Sequence, residues 1–95
     1  PDDFVRPEIY WTDRDYASYF AKYDIERNQI FINNVLNSIS VDEEVIKYLI
    51  YHECLHQQIH DHSKEFRDKE HKYPDFQKWD NFLDYKFRDY TKDYN

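Results

Sequence analysis

The sequence predicts a mostly helical α+β domain. Residues 40–60 and 75–90 carry apolar side chains at three- and four-residue steps, the spacing that places side chains on one helix face. Residues 29–33 form a β-branched and aromatic run bounded by Asn on both sides, which is typical of a strand. A length of 95 residues indicates one domain over residues 1–95, and an aromatic content of 20% helps so short a chain to bury a core.

The N-terminal part of the chain predicts an extended lead-in followed by a helix. Two prolines stiffen residues 1–11. Only one strand is evident from the sequence, so the alternatives are a reduced sheet or further strands in residues 4–11 and 24–27. Thr12 is predicted to be the N-cap of a first helix. The aromatic residues that follow it at helical spacing are Tyr16, Tyr19, Phe20 and Tyr23.

The main helix is predicted to begin at Ser40. Ser40 and Glu43 have the S-x-x-E spacing of a capping box, in which each side chain accepts a hydrogen bond from the backbone of the other residue. An apolar stripe then runs from Val41 towards Cys54, and we expect the helix to end near residues 59–61.

Two shorter helices are expected after the main one. Ser63 is a candidate cap for a short helix that carries Phe66. The sequence Tyr-Pro-Asp at residues 73–75 breaks the chain, and Asp75 begins the last helix. Its apolar face indicates core packing rather than a ligand-binding face, and consists of Phe76, Trp79, Leu83, Phe87 and Tyr90.

Composition excludes several classes of function. The chain has no Gly, which excludes the P-loop, the dinucleotide-binding fingerprint and the nucleophile elbow. A net charge of −7 disfavours nucleic acid as a partner. Cys54 is the only cysteine, so a cytoplasmic, reducing location is expected, with the thiol as an inert packing group. No apolar run is long enough to span a membrane, and no signal peptide is recognisable, so we expect no membrane partner.

The candidate metal site is the pentapeptide at residues 52–56, which reads H-E-x-x-H. Residues four apart lie on one helix face, so His52 and His56 can bind one ion, and imidazole ligands suit Zn²⁺. Glu53 lies beside that ion and can act as the general base for a metal-activated water. The alternative is a solvated helix surface that happens to carry histidines.

A catalytic zinc site usually has a third protein ligand. His60 continues the four-residue series, but an unbroken helix would put it about 12 Å along the axis from His52. The third ligand must therefore come after the helix ends. His62 is the first imidazole that can turn back and is the preferred candidate. Glu65 and Glu70 are the next alternatives and His60 is the last. His60 is otherwise expected to be solvated or to support a ligand, and His71 to be a surface residue.

The spacing of these residues resembles that of the SprT-like and YgjP-like zinc metallopeptidases. Members share H-E-x-x-H-x(5)-H-x(3)-F, which His52, Glu53, His56, His62 and Phe66 match, and many have a Pro-Asp pair near the position of residues 74–75. The chain is also similar in length to the minigluzincins. The similarity spans about residues 28–76.

This resemblance implies a minimal zincin-like domain, with a small antiparallel sheet packed on three to four helices. It also implies that His52, His56 and His62 bind Zn²⁺, that Glu53 is the catalytic general base, and that Phe66 packs beneath the site. The expected activity is that of a zinc metalloendopeptidase acting on a peptide or protein substrate, with a latent or self-inhibited form among the possibilities.

The sequence also allows two further functions. One is a non-catalytic, zinc-stabilised interaction domain, and the other is a DNA-associated SprT-like protease, which the acidic charge disfavours. The strand at residues 29–33 is a candidate edge for pairing with an extended substrate. The residue that stabilises the oxyanion is not assigned by the sequence, and the nominees are Tyr51, Tyr73 and Tyr85.

Overall fold

A computed structural model describes residues 5–16, 19–39 and 41–86. Strands β1 (Glu8–Trp11), β2 (Ala21–Asp24) and β3 (Gln29–Ile32) come first. A 3-10 turn at Asn34–Leu36 leads to the helices α1 (Glu43–Leu55), α2 (Lys64–Glu70) and α3 (Phe76–Lys86). The fold is therefore α+β, as predicted. Among the described residues, no helix is long and apolar enough to cross a membrane.

The three strands form a mixed sheet in the order β1–β3–β2. β2 and β3 pair in the antiparallel sense, with Ala21 opposite Ile32, whereas β1 runs parallel to β3, with Glu8 opposite Gln29. The expectation of a purely antiparallel sheet is thus wrong for β1. Since β3 is paired on both sides along its whole length, it has no free edge for a substrate, and that expectation is also wrong.

The predicted first helix is absent from the described part of residues 12–24, where β2 stands instead. The cause is a distant side chain, Asn33, which is completely buried. Its amide donates to the carbonyl oxygens of Tyr16 and Tyr19, at 2.7 and 2.5 Å, and its Oδ1 accepts from the backbone N–H of Tyr16. These bonds occupy backbone groups that a helix would have used. Thr12 does not cap a helix, and its hydroxyl instead accepts from the backbone N–H of Asn34.

Helix α1 begins slightly later than predicted and ends earlier. Its N-cap is Asp42, whose side chain accepts from the backbone N–H of Glu44 at 2.9 Å, while Ser40 lies outside the described residues. The helix ends at Leu55 because the backbone changes to tighter bonds, such as that from the His56 N–H to the Glu53 carbonyl. The end expected near residues 59–61 is therefore wrong.

The last two helices match the expectations from the sequence. Ser63 caps α2, since its hydroxyl accepts from the backbone N–H of Phe66. Asp75 adopts a positive φ of 61° and is followed at once by α3. Trp79 and Leu83 of α3 are buried as predicted, whereas Phe87 and Tyr90 lie outside the described residues.

The core lies between the sheet and the helices. Ile30 and Ile32 of β3 alternate with less buried residues, so one face of the strand meets the helices. α1 contributes the fully buried side chains Val45, Tyr48 and Leu49. This packing fixes α1 against the sheet and orients the helix face that carries the histidines.

Candidate metal centre

Helix α1 and the turn after it bring together the three predicted histidines. His52 lies in the last turn of α1, and His56 is the C-cap residue that ends it. Because the helix stops there, the chain reverses before Ser63 starts α2, and His62 reaches the other two imidazoles. One possible ligand atom from each residue lies within 4.8 Å of the other two. The break in the helix that the geometry required is present, although it comes several residues earlier than expected.

Hydrogen bonds to Nδ1 fix the orientation of two of these rings. His56 Nδ1 lies 2.9 Å from the carbonyl oxygen of Ile59, within the same turn. His52 Nδ1 makes a very short contact with Oε2 of Glu70. A neutral imidazole that donates through Nδ1 keeps the lone pair of Nε2 available for a metal.

Phe66 forms the floor of the cluster. Its ring stacks on His56, with 4.5 Å between the centroids and 21° between the planes. It also contacts His52 and His62 edge-on, at centroid distances of 4.9 and 5.2 Å. Phe66 is completely buried, so it holds all three imidazoles from one side, where the family pattern implied that it would pack.

Glu53 lies beside the cluster on α1. Its carboxylate is completely buried, and Oε2 lies 3.8 Å from Nε2 of His52. A carboxylate at this distance from the cluster could reach a group bound there directly or through one water molecule.

The two carboxylates considered as rival ligands have other positions. Glu65 is exposed on α2 and is not part of the histidine cluster. Glu70 is buried but contacts Nδ1 of His52, on the far side of the ring from Nε2. His60 and His71 are both exposed, as expected, and His71 stacks on Phe76.

Two of the tyrosines nominated as oxyanion stabilisers contact other residues, and the third is exposed on the surface. The Tyr51 hydroxyl donates to the carbonyl oxygen of Lys69 at 2.7 Å. The Tyr73 ring packs against Tyr51 and Tyr48, and Tyr85 is 88% exposed on α3. The described contacts of Tyr51 and Tyr73 are thus with residues other than the three histidines.

Cys54 behaves as a packing residue. It is half-buried and lies against the core cluster. Burial, and then the charge of Glu53, raise the pKa of its thiol. A raised pKa lowers the fraction of reactive thiolate, which agrees with the inert role predicted for this residue.

Glu70 is the residue of the site whose position the sequence did not reveal. The sequence suggests Glu70 only as an alternative metal ligand, whereas the side chain contacts Nδ1 of His52, a candidate ligand. The sequence signal for this position is the spacing of Glu70 from Phe66. Residues four apart lie on one helix face, and Phe66 and Glu70 are both buried.

The donor set fits a zinc ion. Zinc–nitrogen bonds of about 2.0–2.1 Å require that the three nitrogens surround a common point, and atoms within 4.8 Å of one another need only small side-chain adjustments to do so. Three imidazoles with an adjacent carboxylate are the ligand number and chemistry of an open, catalytic zinc site rather than a closed structural one.

Comparison with known proteins agrees with this geometry. The family model described as "YgjP-like, metallopeptidase domain" matches residues 10–86. The crystal structure of the metallopeptidase zymogen of Pyrococcus abyssi abylysin has a similar fold, with a TM-score of 0.72 at 15% sequence identity, over 92% of this chain and 84% of that one. Curated protein sequences gave no match.

Proposed function

Because the chain belongs to the YgjP-like metallopeptidase family, we propose that it is a zinc-dependent metalloendopeptidase whose metal ligands are His52, His56 and His62. Glu53 is its general base. The family membership supports peptide hydrolysis, and the histidine cluster supports a bound metal. The residue roles are carried by one observation, the meeting of three imidazoles beside a buried carboxylate.

The environment of the imidazoles favours metal binding. The Nδ1 hydrogen bonds of His52 and His56 set one tautomer for each ring, so no reorientation is needed when the ion arrives. Phe66 removes water from one side of the cluster. This apolar surface lowers the local dielectric constant, and electrostatic interactions between a metal ion and its ligands are stronger where the dielectric constant is low.

Glu53 performs the proton transfers in this scheme. Bound zinc supplies a Lewis acid, which polarises the scissile carbonyl and lowers the pKa of a water towards neutrality. Glu53 accepts a proton from the attacking water and passes it to the leaving amine. Its backbone position next to His52 in α1 keeps the carboxylate on the metal side of the helix.

We propose that the peptide substrate binds in an extended conformation along strand β2. Among the described residues β2 pairs with β3 and forms one end of the strand order, so it is an edge strand of the sheet. β2 also packs on α1, the helix that carries His52 and Glu53. An extended peptide added at this edge would bind mainly through backbone hydrogen bonds, with little dependence on its sequence.

Latency is part of the proposal. The fold is similar to that of a metallopeptidase zymogen. In this chain the side chain of Gln57, next to His56, hydrogen-bonds the backbone of Val5 and the side chain of Asn28. The N-terminal segment is thereby tied to the turn that carries the metal ligands.

The test is zinc-dependent cleavage of an unstructured protein substrate labelled with a fluorophore. We expect hydrolysis that stops when a chelator removes the metal and returns when zinc is restored, measured before and after limited proteolytic trimming. A chain that binds zinc and unfolds on chelation, but cleaves nothing in either form, would instead be a zinc-stabilised interaction domain.

A further inference from the structure

We propose that Glu70 is a positioning residue of the metal centre, which acts on the metal through His52. This inference rests on the proposed metal site. It assigns to Glu70 two tasks: to hold the His52 ring in the metal-binding tautomer, and to supply negative charge one imidazole away from the ion.

The contact between the two side chains carries the proposal. Glu70 Oε2 lies against His52 Nδ1, and both side chains are almost completely buried, with 1% and 2% of their surface exposed. An ionised carboxylate can only accept, so the imidazole donates its Nδ1 proton. His52 Nε2 then carries the lone pair of the ring, and one ligand atom of His52 lies within 4.8 Å of a ligand atom of His56 and of His62.

Helix α2 delivers Glu70 to this place. Phe66 and Glu70 are four residues apart and are the two buried residues of the helix. Phe66 packs under the imidazoles while Glu70 reaches the back of His52, so one helix face supports the site in two ways. The Tyr51 hydroxyl bonds the carbonyl of Lys69 and ties the end of α2, next to Glu70, to α1.

A second group behind Glu70 links the site to α3. The Tyr48 hydroxyl donates to Oδ1 of Asp80 at 2.9 Å. Burial, followed by the charges of Glu70 and Asp80, raises the pKa of Tyr48, so the phenol keeps its proton. Tyr48 also hydrogen-bonds Glu70, so a chain of polar side chains runs from Asp80 on α3 to Nδ1 of His52.

Charge explains why a carboxylate is placed here. A buried carboxylate is unfavourable unless hydrogen bonds and an opposite charge compensate it. A divalent cation on the other side of the His52 ring supplies that charge, and the carboxylate in turn makes the imidazole a stronger ligand. Because the carboxylate touches Nδ1, it acts through the ring and is not itself a ligand.

The experiment measures zinc affinity by competition with a chromophoric chelator. The variants are Glu70→Gln, which keeps an acceptor but removes the charge, and Glu70→Leu, which removes both. Glu65→Gln is the matched control, since Glu65 is an exposed carboxylate of the same helix. We expect zinc affinity to fall by about 10- to 100-fold for Glu70→Leu and by less for Glu70→Gln, while the control matches the wild type.

Two spectroscopic readouts separate positioning from other roles. In the zinc-loaded wild type, nitrogen NMR of His52 should report a protonated Nδ1. The visible spectrum of the Co²⁺-substituted protein should keep its shape in Glu70→Gln, because the ligand set is unchanged. A new spectrum would make Glu70 a ligand and overturn the proposal. So would zinc affinities within twofold of the wild type in both variants, which would leave Glu70 a purely structural role.

These outcomes are independent of peptidase activity. If the chain binds zinc but hydrolyses nothing, the function proposed above fails while the role of Glu70 can still be measured. If the histidines bind no metal, both fail together, and the affinity of the wild type shows it directly.

Discussion

Phe66 stacks on His56 with 4.5 Å between the ring centroids, while its edges face His52 and His62. One apolar ring thus sets the spacing of all three imidazoles. Since Phe66 projects from α2 and two of the histidines from α1, this contact also fixes the angle at which the two helices meet. We therefore expect Phe66 to couple the stability of the fold to the proposed metal binding.

Replacement of Phe66 by Leu should impair both properties. Leucine lacks the aromatic ring that packs against the imidazoles, so we expect weaker zinc binding. We also expect a loss of stability smaller than the roughly 3–5 kcal/mol typical of Phe→Ala. Chelator competition and urea unfolding of the metal-free protein measure the two effects. Phe82→Leu in α3 is the control, since Phe82 packs against the core and not against the histidines. Equal zinc affinity in both variants would contradict the coupling.

Replacement of Asp75 by Gly should stabilise the protein. Asp75 has a φ of 61°, in the left-handed region that costs a non-glycine residue roughly 1–2 kcal/mol, whereas the greater freedom of Gly in the unfolded chain costs about 0.4–1 kcal/mol. The expected net gain is about 0–1.6 kcal/mol, measured by urea unfolding.

Asn28 provides the matched comparison for Asp75. It also has a positive φ, of 52°, but its side chain accepts hydrogen bonds from Tyr23 and Gln57. Asn28→Gly should therefore give no gain, because the relief of strain is offset by the lost bonds. A larger gain from Asn28→Gly than from Asp75→Gly would show that backbone strain does not control these two turns.

Alkaline pH should destabilise the protein through Tyr48. Burial raises the pKa of Tyr48 in the folded state, so the unfolded chain loses this proton first, above about pH 10. The stability contributed by the neutral phenol is complete below that pH and is lost as the pH rises further. Burial also raises the pKa of Tyr23, Tyr51 and Tyr73, and these tyrosines act in the same direction.

The slope of unfolding free energy against pH checks this expectation. Tyr48→Phe should make the alkaline decline shallower without abolishing it, whereas Tyr85→Phe, at a position that is 88% exposed in the wild type, should keep the wild-type slope. If the free energy of unfolding fell equally steeply with pH in Tyr48→Phe and the wild type, Tyr48 would not be the cause of the alkaline destabilisation.

The parts of the fold that follow from local signals were predictable. The Ser63 cap, the break before α3 and the strand at Gln29–Ile32 depend on neighbouring residues, and the structure confirms them. Residues 12–24 were not predictable, because aromatic residues at three- and four-residue steps suit a helix by spacing and a strand by propensity. The amide of Asn33, 14 and 17 residues away from its partners, decided between them.

The same distinction applies to the candidate site. The spacing of His52, Glu53 and His56 within one helix is local, and His62 follows from the need for a break. The pairing of His52 with Glu70 joins residues 18 positions apart, and only the packing of α2 on α1 brings them together. The parallel pairing of β1 with β3 is non-local in the same way.

The most direct test of the proposed mechanism is to compare the wild type with Glu53→Gln, measuring bound zinc and peptide cleavage on the same samples. Glu65→Gln is the control, because Glu65 is an exposed carboxylate outside the histidine cluster. Glu53→Gln should keep its zinc and lose cleavage by about 10²- to 10⁴-fold, since only the proton acceptor is removed. Cleavage at the wild-type rate by a zinc-loaded Glu53→Gln protein would contradict the account.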